Sequence, residues 1–116
     1  MNVVAWILGI ILAGVFGFGG VTKVLDLDRA REHFGYSKRQ YQLVGLSEIA
    51  GAAGIVVGLI WRKVEWIGLA AATGIATLMV SALIVHARVE DEGKQVIPAL
   101  VMLVLASVFA VVLALR

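Results

Sequence analysis

The chain has 116 residues, 61% of them apolar and 13 more glycine, which is more hydrophobic mass than a water-soluble domain of this size can bury. It contains no cysteine, which excludes a disulfide scaffold, a thiolate metal centre and a thiol redox enzyme. The net charge of +2 rests on only 16% charged residues, clustered between apolar runs, a spacing that belongs to membrane loops and not to a nucleic-acid surface.

Crossing about 30 Å of hydrocarbon at 1.5 Å per residue takes roughly 20 residues. Four runs are long enough: 3–25, 41–60, 67–87 and 97–115. Strands would leave backbone groups unsatisfied in lipid unless they closed a barrel, and these runs are too long for barrel strands. The expectation is an all-α, antiparallel, integral membrane four-helix bundle forming a single transmembrane domain over residues 1–116. No basic segment precedes Trp6 and the first run outlasts a signal-peptide core, so it is read as a retained span.

In the first loop, Asp26 or Asp28 caps a short amphipathic helix. Leu27, Ala30 and Phe34 form its apolar face, Arg29, Arg31 and Glu32 its charged one, and Gly35 stops it. In the second span Ala50, Gly54 and Gly58 make a ridge of small residues, and Gly68, Ala72 and Ala76 make another in the third. Both favour close helix crossing, within the chain or between copies in a homo-oligomer. The third span also carries a Thr73, Thr77, Ser81 stripe, read as packing, while His86 projects on the face of Ile75, Met79 and Ala82. Glu90, Asp91 and Glu92 read as a solvated turn, and Pro98 opens the fourth span, where a missing N–H does no harm.

Four spans put loops 26–40 and 88–96 on one side and both termini on the other. Arg29, Arg31, Lys38, Arg39, Arg88 and Lys94 lie on the loop side, against Arg62, Lys63 and Arg116. Basic residues mark the cytoplasmic face, so a multi-pass cell-membrane protein with those two loops in the cytoplasm and its termini outside is expected. Trp6, Trp61 and Trp66 on one side and Tyr36 and Tyr41 on the other suit aromatic belts at both interfaces.

Ionisable groups inside a span cost about 2.5–3.5 kcal/mol each at the helix centre and need a partner or a wet cavity. Lys23, Glu48 and His86 are the ionisable residues within the spans, and topology brings all three to the loop side. Glu48 falls about 10 Å below a helix start at Tyr41, too deep for a short acidic chain to reach headgroups. Gly45, Gly51 and Ala52 flank it, and Gly19 and Gly20 lie one turn before Lys23, so the two helices have room to approach and form a Lys23–Glu48 ion pair. The blander readings are a snorkelling Lys23, an interfacial His86 and a Glu48 that only holds helices in register. With His33 and His86 the only histidines, neither a bis-His haem nor a three-ligand metal site is expected, and no phosphate-binding glycine motif occurs.

The segments GFGGVTKV, GYS, YQLVGLSEIAGAAGIVVGL and VHARVEDEG, followed by a Pro98-led last helix, resemble the DoxX-like family of small four-helix membrane proteins over essentially the whole chain. The resemblance places Lys23, Gly45, Glu48, Gly51, His86 and Pro98 on the family's characteristic positions. It implies a neighbourhood of sulfur- and quinone-linked electron transfer, oxidant resistance or membrane-protein assembly. Direct thiosulfate chemistry does not follow for a chain without cysteine.

Two functions are then expected in order. The first is a non-catalytic subunit or accessory protein of a quinone-linked or oxidative-stress membrane complex. Its partners are the bilayer and other membrane proteins; no cofactor is required, and the Lys23, Glu48 and His86 cluster lines a pocket compatible with an amphipathic ligand such as a quinone or a lipid. The second is a proton-coupled small-molecule transporter, since similar length, four helices and one membrane glutamate also describe the small multidrug resistance proteins. There the glutamate is on the first helix; here it lies on the second beside a cation, a poor arrangement for proton exchange.

Overall fold

The computed structural model describes residues 2–27 and 31–116. Among these, α1 (Asn2–Val24) leads through a one-turn α2 (Arg31–Phe34) to α3 (Lys38–Ile60). A 3-10 turn at Arg62–Val64 then leads to α4 (Glu65–Arg88) and α5 (Gly93–Leu115). The four long helices are each long and apolar enough to cross a membrane. Helix α1 packs on α3 and α5, and α4 packs on the same two, so the four close into a ring. On α1 the inward stripe is Ala5, Gly9, Leu12, Phe16 and Gly20, recurring every three or four residues as one helical face must. The outward faces are equally apolar, with Val3 70% and Phe18 75% exposed, as hydrocarbon outside the bundle requires.

Hydrophobic burial supplies little drive between helices already in lipid, so close backbone approach and van der Waals contact hold the bundle. The tightest α1–α3 approach is at Gly20 and Gly45. A Cβ built on Gly20 would lie 2.5 Å from the Gly45 carbonyl oxygen, and one on Gly45 2.6 Å from that of Gly20. Helices α3 and α4 meet at Gly58 and Gly68, where a Cβ on Gly58 would come within 2.5 Å of the Gly68 Cα. The two expected small-residue ridges therefore meet within the chain at Gly58 and Gly68, while Gly54 abuts Ala71 beside the second ridge and Ala50 stays exposed. Thr73, Thr77 and Ser81 donate to the carbonyls of Leu69, Thr73 and Thr77, four residues back on their own helix.

One backbone device closes three of the helix ends. After α1, Leu27 N–H donates to Thr22 and Asp26 N–H to Lys23, with Asp26 left-handed at φ 54°. After α4, Asp91 N–H donates to His86 and Glu90 N–H to Ala87, with Glu90 at φ 57°. After α2 the same pattern runs through Gly35 at φ 78°, so the expected glycine stop is present.

Other boundaries shift by up to about a turn. Helix α3 begins at Lys38, not Tyr41, because Ser37 and Gln40 form a reciprocal capping box: Gln40 N–H donates to Ser37 Oγ at 3.1 Å and Ser37 N–H to Gln40 Oε1 at 3.0 Å. Pro98 does not open α5. The helix starts at Gly93, so Pro98 lies inside it, where the N–H it lacks would have served the exposed Lys94. The polar stretch Gly93–Gln95 hides that first turn from a hydropathy reading. In the first loop, Asp28, Arg29 and Ala30 lie outside the described residues; Asp26 accepts a 3.1 Å bond from Arg31 Nε.

Candidate functional site

The Gly20–Gly45 crossing brings the loop ends of α1 and α3 together, and the first costly residues meet there. Lys23 Nζ lies 3.2 Å from both carboxylate oxygens of Glu48. Glu48 is 4% exposed and sits on the inward stripe of α3 with Tyr41, Gly45 and Gly51. Gly19 supplies the recess: a Cβ there would lie 3.2 Å from Glu48 Oε2. Tyr41, itself buried, offers its ring face to the ammonium at 5.7 Å. Gln42 Nε2 donates to the Val24 carbonyl at 3.0 Å and ties the end of α1 to α3 beside the pair.

Above this pair the bundle is not filled. A cavity of about 430 Å³ lies between the α1–α3 pair and the α4–α5 pair. That volume is within the range of small-molecule sites. Lys23 and Glu48 form its polar end; Phe34, Tyr36 and Tyr41 wall the loop side; Met79 and Met102 stand for a remainder from α4 and α5 that is apolar except for Ser81. Pro98 also lines it, so its place inside α5 belongs to the cavity wall. Gly51 does not reach the cavity and instead receives Ile75 of α4, whose Cγ1 would lie 2.9 Å from a Cβ there.

His86 is on the same side but not in the ion pair. Its Nδ1 lies 2.5 Å from Asp91 Oδ2, while His33 Nε2 lies 2.7 Å from Asp91 Oδ1. An ionised carboxylate only accepts, so both rings donate to it. Hydrogen bonds from His86 and then His33 hold Asp91 below the usual carboxylate range. Phe34 stacks edge-on against both imidazoles at 5.1 and 5.2 Å, and it is also a wall of the cavity. His86 itself is not among the lining residues, contrary to the expected three-residue lining; it contacts Phe34, which is.

The expected solvated turn is corrected at its middle residue: Glu90 and Glu92 are exposed, but the Asp91 side chain is only 7% exposed. The left-handed Glu90 turns the chain back so that Asp91 lies under His86. The spacing of His86 and Asp91 was visible, but the contact with His33, 58 residues away, is tertiary. At the opposite end, Arg116 donates to Glu65 Oε1 at 3.0 Å and to the Gly58 and Leu59 carbonyls at 3.1 and 2.9 Å, closing the last turn of α3.

Comparison with curated proteins and with solved structures finds no match to this chain. A family model does match, over residues 7–109, a stretch that spans all four membrane helices and both halves of the polar site. The chain is thus a small multi-pass membrane protein belonging to the DoxX-like family.

Proposed function

We propose that this protein is a non-catalytic accessory component of a membrane complex, and that it holds an amphipathic molecule, a quinone or a lipid, in the cavity between its helix pairs. The observation that carries this reading is the cavity of about 430 Å³ with one ion pair at its end and walls that are mostly apolar, with Tyr36, Tyr41 and Ser81 as the other polar side chains among the described lining residues. A Lys–Glu pair that served packing alone would need no open volume beside it. The family's association with quinone-linked and oxidative-stress systems supports a redox neighbourhood. The whole chain acts as one membrane domain in this reading, with loops 26–40 and 88–96 in the cytoplasm. The membrane glutamate lies on the second long helix beside Lys23, unlike the first-helix glutamate of the small transporters, which ranks transport second.

The test is purification from membranes in mild detergent, followed by native mass spectrometry of the wild-type chain and of a Lys23→Met, Glu48→Met double variant. Buried pairs are often replaceable by apolar residues without loss of stability, so the variant should remain folded. Wild type should carry a small-molecule adduct and co-purifying membrane proteins, and the folded variant should lose the adduct. A variant that retains the same adduct and the same partners would reduce the pair to architecture.

A further inference from the structure

The charges of the cavity select its occupant's head group. Among the described residues that line it, Lys23 and Glu48 alone carry formal charge, and they are matched one against one at 3.2 Å. Two loop-side carboxylates also have ionisable partners of their own. Asp91 faces His86 and His33 behind the Phe34 ring, and Asp26 faces Arg31. Among the described residues of the cavity lining, a ligand that brought a third full charge would find no unmatched counter-ion. A carboxylate competing for Lys23 would weaken that cation's hold on Glu48, and an ammonium competing for Glu48 would weaken its hold on Lys23, each at a cost in charge balance.

An uncharged oxygen avoids that penalty. An ammonium has three N–H groups, and the contacts to Glu48 engage at most two of them. A hydroxyl or carbonyl oxygen can accept from Lys23 while the ion pair stays intact. Resting on the ligand-site reading above, we infer that the cavity takes a neutral amphiphile: a hydroxyl or carbonyl head against Lys23 and a hydrocarbon body between Met79 and Met102. Fatty acids and alkyl amines are thereby excluded as its natural class.

The experiment titrates decanol, decanoate and decylammonium at neutral pH into the full chain in zwitterionic lipid nanodiscs, with empty nanodiscs as the blank. The three probes share one tail and differ in head charge. Decanol should saturate one site and bind at least about tenfold more tightly than either charged analogue. In Glu48→Gln the uncompensated Lys23 should reverse the order in favour of decanoate, and in Lys23→Met the order should shift toward decylammonium. A structural role for the pair would not exchange these preferences. Dioctanoylglycerol competing with decanol would assign the oxygen to a membrane lipid, and failure to compete would assign it to a single-chain compound; both agree with the inference. A wild-type preference for decanoate or decylammonium, or an order unchanged in both variants, overturns it. If no probe saturates the chain, the failure belongs to the ligand-site reading itself.

Discussion

Breaking the Lys23–Glu48 pair measures how much of the bundle depends on one contact. Glu48→Gln removes the counter-charge and leaves an ammonium whose side chain is only 23% exposed. Removing one partner of a buried pair costs about 3–5 kcal/mol. Lys23 sits near the end of α1 and can move its head toward the interface, which argues for the low end, about 3 kcal/mol. Lys23→Met removes the counter-charge of the more deeply buried Glu48 and should cost about as much. Independent losses would then sum to about 6 kcal/mol, but in the double variant no uncompensated charge remains, so its loss should not exceed about 3 kcal/mol. The coupling is then at least about 3 kcal/mol, the top of the range for contacting residues. Reversible unfolding in mixed micelles, followed by circular dichroism for all four proteins of the cycle, reads it directly. Additive losses would refute a direct pairing.

Other expectations follow from the crossing, the caps and the topology. Gly20→Ala drives a Cβ toward the Gly45 carbonyl and should destabilise by about 1–3 kcal/mol, whereas Gly14→Ala, with open space at its Cβ, should stabilise by about 0.5–1 kcal/mol; thermal unfolding of the two variants side by side checks the sign of each. Asp91→Asn should lower the unfolding temperature near neutral pH. Because the Asp91 pKa is lowered on folding, its contribution is complete above the ordinary value of 3.8 and lost as pH falls through the lower folded value. The gap from wild type should therefore close as pH falls through that lower value, and a gap unchanged across it would refute the assignment. In a chain without cysteine, Lys63→Cys should react with an impermeant maleimide on intact cells and Lys38→Cys should not, if the loops lie inside; the opposite pattern inverts the orientation.

Much of this protein was legible because membrane insertion is a local property. Each span sums the transfer energies of its own residues, so four helices could be read from run lengths, and the short loops then imposed their order. Lys23 and Glu48 were conspicuous because a charge inside such a sum must be compensated, and alternating helices leave few places to do so. The Ser37–Gln40 box was also written in the sequence, as a hydroxyl three residues before an amide, but it lies outside an apolar run and is missed when hydropathy sets the boundaries.

The tertiary structure decided which faces turn inward and what meets there. Leu12 is fully buried and Phe18 is largely exposed, yet both are simply apolar to a sequence reader, because lipid outside the bundle erases the polar contrast that marks the surface of a soluble helix. Helix rotation, set by backbone contact at Gly20 with Gly45 and at Gly58 with Gly68, therefore comes from packing. That rotation places Lys23 on Glu48, sends His86 to Asp91 behind Phe34, and leaves the cavity of about 430 Å³ between the helix pairs. A cavity is a volume that no side chain fills, so it has no residue of its own in the sequence and exists only when all four helices are in place.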